Sequence, residues 1–263
     1  MNKRIQAVQL TKRELPHISR RECQIIYPKI FHNADRNWQA AQLLAKEGFY
    51  GQAISVATVS IEEAIKAIII QLDGAGFNFR SAKGVSRFFN EHAIRHVTAC
   101  VFLCIELIGD DLLKYFKRIH KSPSETQLFI QKIKDLQPLI TDAVVYLQGK
   151  AKEMKSELPF FLSIEQSRQR GFYCDFENKF LSPEDLDETK YLEVLKKYGK
   201  IHNFIRGFSE TFTNQSNEEI SQLLQSFKDE QLYRHIGDYL KGMKAEQMFQ
   251  QFLQLLDQVE NLE

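Results

Sequence analysis

Twenty consecutive residues, Gly51-Gln-Ala-Ile-Ser-Val-Ala-Thr-Val-Ser-Ile-Glu-Glu-Ala-Ile-Lys-Ala-Ile-Ile-Ile70, constrain this chain more than any other stretch. They are too apolar for a surface helix and carry no glycine or proline after Gly51. A helix that is apolar on nearly every face has to be buried, so other segments must pack around it. Three charges interrupt it: Glu62, Glu63 and Lys66. Charged groups on an apolar helix need partners or a purpose. Glu63 and Lys66 are three apart and Glu62 and Lys66 four apart, so each pair can meet on one helix face. Either Glu63 or Lys66 points into a polar pocket and orients a catalytic group, or the set is an exposed salt bridge worth about 0.3–0.5 kcal/mol.

The segments around it read as helices. Ala34, Trp38, Ala41 and Ala45 form one stripe, which predicts a helix over about 29–46, with Pro16 and Pro28 as breaks before it. Gly48 stands where a glycine terminates a helix, and the next helix, about 50–72, follows at once. The pair should form an antiparallel hairpin, closely packed through its alanines and serines. Asp73-Gly-Ala-Gly76 is a break. A third helix is expected over about 85–108, and Gly109-Asp-Asp should restart the chain into a short piece over 112–120. Ser122-Pro-Ser-Glu125, Ser182-Pro-Glu-Asp185 and Ser216-Asn-Glu-Glu219 carry helix-start chemistry. The helix opened at Ser122 should kink near Pro138 and end by Pro159, followed by a helical piece over 160–170. Residues 172–181 look extended. Ala245, Met248, Phe252, Leu255, Val259 and Leu262 make an amphipathic C-terminal helix. The expected class is all-α: residues 1–28 as an arm, 29–213 as a helical bundle, and 214–263 as an acidic helical extension.

Hydrophobic content of 43% and charged content of 26% fit an ordinary globular protein, and 12 glycines and 6 prolines are few for a turn-rich β fold. The net charge of +1 hides an uneven distribution. Residues 80–121 hold eight Lys/Arg against four Asp/Glu, and residues 214–263 hold four against nine. A basic middle suits a polyanion; two complementary solvated faces would give the same count. Cys23, Cys100, Cys104 and Cys174 show no disulfide spacing and suit a reducing cytosol. Met1-Asn-Lys-Arg-Ile has no apolar targeting core. The longest apolar run, 97–108, contains Glu106 and is too short to span a bilayer, so no membrane contact is expected.

Arg87, His92, Arg95 and His96 fall within ten residues. Arginine holds phosphate through charged bidentate hydrogen bonds, and histidine moves a proton near neutral pH. Together they meet the needs of RNA cleavage by 2′-hydroxyl attack without a metal. A basic helix surface, or a histidine satisfied in the core, would show the same spacing. His92, His96, Cys100 and Cys104 recur every four residues. Twelve residues of helix span about 18 Å, so at most two adjacent ones could share an ion, with further ligands from elsewhere. No metal and no cofactor is expected. Arg168, Arg170, Tyr173 and Asp175 form a second cluster, able to hold phosphate or serving only as a structural turn. Gly171 lets the backbone turn tightly there. The turn is expected to pack beside the second and third helices and bring Arg168 or Arg170 to Glu63 and His92.

Three of these pieces resemble the AbiV-type abortive-infection proteins of the HEPN helical superfamily. They are Ala40-Ala41…Gly48-Phe-Tyr…Ala53 with Ser60-Ile-Glu-Glu-Ala-Ile-Lys66; Phe88-Phe-Asn-Glu-His92-Ala-Ile-Arg95; and Arg168-Gln-Arg-Gly-Phe-Tyr-Cys-Asp175 with Pro183 downstream. The resemblance implies a helical, often dimeric protein of bacterial defence against phage. It also implies a metal-independent ribonuclease motif of Arg-x4–6-His, which Arg87 and His92 match in spacing, with Phe88 following the arginine. On that reading Arg87 and His92 are catalytic, Glu63 and Lys66 support them, and Arg95, His96, Arg168, Arg170 and Tyr173 hold RNA. The other reading is a non-catalytic helical protein that sequesters a phage or host factor.

Overall fold

The computed structural model describes residues 18–81, 87–119, 136–176, 178, 180–214 and 244–261. They form an all-α bundle of helices α1 (Arg20–Lys46), α2 (Tyr50–Ala75), α3 (Arg87–Asn90), α4 (His92–Ile119), α5 (Leu136–Arg170), α6 (Glu188–Asn214) and α7 (Ala245–Glu260). A two-stranded antiparallel hairpin, β1 (Asp175–Phe176) and β2 (Phe180–Leu181), lies in the stretch expected to be extended. The helix starts that Ser122 and Ser216 suggest lie outside the described residues.

Helix α2 is the axis of the bundle, packed by α1, α4, α5 and α6. Seventeen of its residues are buried, Glu62 among them. The α1–α2 hairpin is tight because its facing positions are small: Ala34 and Ala41 oppose Ala53, Ala57 and Ser60, all buried. Ser60 Oγ donates to the Ala34 carbonyl at 2.7 Å, so a polar residue in the seam carries its own partner. Gly48, at φ +80°, and Gly76, at φ +108°, close the two helices in the left-handed conformation.

Several breaks predicted from single residues do not occur. α1 begins at Arg20, behind a Ser19–Glu22 capping box, and runs through Pro28. Residues 20–28 are therefore its first turns and not an arm. α2 continues through Asp73 and Gly74 and stops only at Gly76. α4 passes Gly109 without a restart. α5 contains Pro159, so the pieces on either side of it are one helix. At Pro28, Gly74 and Pro159 burial of the flanking residues against neighbours outweighs a local preference, since one lost helix bond or a glycine costs about 1–3 kcal/mol. The Ser182–Asp185 capping box is real but caps a 3-10 turn, and α6 starts later, at Glu188. The C-terminal stripe is rotated from the expected one. Met248, Phe249 and Leu256 are buried, Phe252, Leu253 and Val259 half-buried, and Leu255 exposed. α7 packs on α5, and Lys155 of α5 pairs with Asp257 and Glu260.

Two glycines fix the approach of α5 and the following turn to α2. A β-carbon at Gly171 would overlap the Gly51 carbonyl and the Ser55 hydroxyl, and one at Gly51 would overlap the Pro183 carbonyl. Gly171→Ala should destabilise the protein by about 1–3 kcal/mol, because backbone must move. Gly149→Ala, at an exposed α5 position with open space around it, should stabilise by about 0.5–1 kcal/mol. Urea unfolding of both variants checks the pair; equal effects would show that the α2–turn contact is slack.

Candidate functional site

The polar residues of three helices meet at Glu62. Its α2 position turns the side chain inward, and the residue is 3% exposed. From α4, His92 Nδ1 lies 2.7 Å from Glu62 Oε2, and Arg95 Nη2 lies 3.0 Å from the same oxygen. Arg95 is 2% exposed and spends another nitrogen on the Phe88 carbonyl, at 2.9 Å. His96, one turn further along α4 and also 2% exposed, places Nε2 3.0 Å from Glu165 Oε2 and 3.6 Å from Glu62 Oε1. From α5, Arg168 grips Glu165 with Nε at 3.0 Å and Nη2 at 2.7 Å, and its Nε lies 3.8 Å from Glu62 Oε1. Gln169 donates to Glu165 as well, at 2.8 Å.

The result is a compact array of two carboxylates, two guanidinium groups and two imidazoles. Burial pushes the Glu165 carboxyl upward. The hydrogen bonds from His96 and Arg168 more than offset this and hold it well below the usual carboxylate range. Hydrogen bonding to Glu165 in turn raises Arg168. Beneath the array, Tyr198 is fully buried; burial first, then the nearby Glu62 charge, push its phenol far up, so it stays protonated. Only the rim is open. The His92 side chain is 44% exposed and that of Arg168 14%.

His92 holds the chemistry of the rim. Its Nδ1 faces both Glu62 Oε2 and Arg95 Nη2, each at 2.7 Å. A proton on Nδ1 goes to Glu62 and leaves Nε2 as a base. A bare Nδ1 accepts from Arg95 and leaves Nε2–H as a hydrogen-bond donor.

The structure distributes the residues singled out in the sequence differently from the expectation. His92, Arg95, His96 and Arg168 come together. Glu63 and Lys66 do not join them: they pair with each other, and Asn33 of α1 donates to Glu63 at 3.4 Å. Glu62, one position earlier, takes the place expected for Glu63. Arg87 sits on α3, across the helix break at Glu91 from His92, and binds Glu91 through two nitrogens at 2.6 and 2.7 Å. The arginine beside His92 is Arg95, and it is buried, so it positions groups and does not face solvent. The 171–173 turn does pack on α2: Ser55 Oγ donates to the Arg168 carbonyl at 2.6 Å. It delivers Arg168 to the cluster, while Arg170 pairs with Asp185 at 3.5 Å. Tyr173 is 67% exposed at the edge. Glu165 belongs to the cluster as well, and the one sign of it in the sequence is its i, i+3 helical spacing to Arg168. Glu62, His92 and Glu165 each present a ligand atom within 4.8 Å of the others, the one grouping among the described residues suited to a metal ion. A cavity of about 540 Å³ elsewhere, between α2, α4 and α6, is lined by side chains such as Ile68, Leu72, Phe102 and Phe208 and holds no acid–base group.

These three helices fall inside a single sequence family. The family model for AbiV-type HEPN proteins matches residues 22–203. The chain belongs to the AbiV family. The match runs from α1 into α6 and includes every member of the Glu62 cluster. Comparison with curated proteins and with solved structures found no match. No described helix is long and apolar enough to cross a membrane.

Because Glu165 is held below its ordinary range in the folded chain, it contributes stability that is present above about pH 4.3 and lost as pH falls through the folded value. Acid unfolding of this AbiV chain should therefore begin below about pH 4.3 and be shallower in Glu165→Gln. Identical acid limbs for the two proteins would place the linkage on other carboxylates.

Proposed function

We propose that this AbiV chain is an endoribonuclease of bacterial antiphage defence, acting without a metal and halting translation by cutting host or phage RNA. The observation that carries the reading is His92: exposed at the rim, with Nδ1 2.7 Å from a carboxylate buried to 3%. An imidazole so held has a fixed orientation and one nitrogen turned to substrate. Its Nε2 removes the proton from the RNA 2′-hydroxyl. The 2′-oxygen bonds to phosphorus, the bond from phosphorus to the 5′-oxygen breaks, and the imidazolium returns the proton to that leaving oxygen. The products are a 2′,3′-cyclic phosphate and a 5′-hydroxyl. Arg168, at the rim, meets the charge on the phosphorane oxygens. Glu62, Arg95 and His96 are positioning residues. The reading places the reaction in a reducing cytosol and in a homodimer.

A second reading has its own observation. Each arginine around the site already has a carboxylate: Arg87 with Glu91, Arg95 with Glu62, and Arg168 with Glu165. Beside them Phe172, Tyr173, Phe176 and Phe180 are all exposed. Satisfied cations and bare aromatic rings suit a surface that binds a phage or host protein.

Induced expression followed by RNA sequencing separates the two. For the ribonuclease, His92→Ala should lower cleavage by about 10²–10⁴-fold and abolish growth arrest while the helical fold is retained. Glu62→Gln should lower cleavage with a distorted pH profile, and Arg87→Ala should cost less than either. Growth arrest that survives His92→Ala, without RNA fragments bearing 5′-hydroxyl ends, would support the binding protein.

A further inference from the structure

We propose that Glu62, His92, His96 and Glu165 form a binding site for a divalent transition-metal ion of the zinc class. His92 and His96 are four apart on α4, so both imidazoles stand on one face, one turn apart. One helix can supply no more than such a pair. Here α2 and α5 supply the rest, one carboxylate each, as facing helices do in bundle metal sites. The donor atoms of His96, Glu62 and Glu165 stand near tetrahedral spacing, and those of Glu62, His92 and Glu165 form a second, wider trio. Zinc bonds of about 2.0–2.1 Å in a tetrahedron put neighbouring donor atoms about 3.3 Å apart. His96 Nε2 lies 3.0 Å from Glu165 Oε2 and 3.6 Å from Glu62 Oε1. Donor atoms of Glu62, His92 and Glu165 all lie within 4.8 Å of one another.

An independent observation points into the same space. Glu62 Oε1 is buried and makes no hydrogen bond. His96 Nε2, at 3.6 Å, and Arg168 Nε, at 3.8 Å, stand too far off to donate one. A carboxylate oxygen left so at 3% exposure is costly unless a cation reaches it. Two imidazole nitrogens with two carboxylate oxygens select zinc, cobalt, manganese or ferrous ions over magnesium or calcium, which take oxygen alone.

Arg95 and Arg168 are the competing cations, and they differ. Arg95 binds Glu62 through Oε2, lies 2.7 Å from His92 Nδ1 and is tied to the Phe88 carbonyl, so it stays, and His92 reaches an ion by turning its ring away from that guanidinium. Arg168 lies on the last turn of α5 with 14% of its side chain exposed, so it can leave Glu165 to the ion. Metal binding is thus an exchange of one guanidinium for one ion. Its consequence for catalysis rests on the ribonuclease reading: a metal on one ring nitrogen of His92 fixes the proton on the other, and the base is lost.

The test is cobalt titration of the metal-free, full-length chain. One Co2+ per chain should bind with the visible absorption of a tetrahedral site, and Zn2+ should displace it. Glu165→Gln and His96→Gln should each weaken binding by about 10–100-fold. Arg168→Gln should tighten it, a gain that misfolding cannot produce. No tetrahedral spectrum at one equivalent, or binding indifferent to Glu165→Gln and His96→Gln, overturns the site, as does weaker binding in Arg168→Gln. RNA cleavage is measured on the same samples and should be present in the metal-free form and lost with Zn2+. A cobalt spectrum with the mutational pattern above, and no cleavage in either form, leaves the metal site standing and removes the ribonuclease.

Discussion

A carboxylate sealed to 3% exposure inside an apolar helix governs the arrangement of everything near it. Glu62 in isolation would cost several kcal/mol to bury ionised. The chain answers with a guanidinium at 3.0 Å, an imidazole at 2.7 Å, and a second imidazole and a second guanidinium just beyond contact. Those partners come from α4 and α5, so the charge also dictates how these helices dock on α2. Arg95 must enter the core, and it brings the Phe88 carbonyl with it as a second acceptor. That contact ties the short helix α3 to the start of α4 across the break at Glu91.

The docking of α5 depends on atoms that are missing. Gly171 and Gly51 have no β-carbon, and the Arg168 carbonyl comes close enough for Ser55 Oγ to donate to it. Arg168 and Glu165 therefore reach the cluster as a fixed unit on the last turn of α5. Backbone contact sets the position, and the ion pairs set the chemistry. Neither alone would bring the start of α4 and the end of α5 to one carboxylate.

Much of this could be read in the chain beforehand, and the misses have identifiable causes. The helical class, the α1–α2 hairpin and the extended patch after Gly171 follow from patterns that tertiary structure reinforces. Glu62 and Glu63 could not be told apart, because adjacent residues differ by about 100° and α2 is apolar on too many faces to reveal its phase. Arg87 and His92 looked like one motif because spacing was counted along a continuous helix. The helix breaks at Glu91, and Arg87 turns to Glu91. Pro28 and Pro159 looked like ends because a local cost is visible in sequence and the burial that offsets it is not.

Charge balance limits what the site can attract. With its imidazoles neutral, Glu62 and Glu165 cancel Arg95 and Arg168, so the cluster offers an approaching polyanion little net field. A phosphate that takes Arg168 frees Glu165, exchanging one anion for another beside the same cation. Long-range steering is therefore weak, and binding has to rest on contacts made at the rim. The same exchange read in the other direction favours a cation. An ion that takes Glu165 releases Arg168 to solvent and gives the sealed oxygen of Glu62 a close partner. Occupants of opposite sign thus act on the two halves of one ion pair, and the Glu165–Arg168 contact is the element on which both depend.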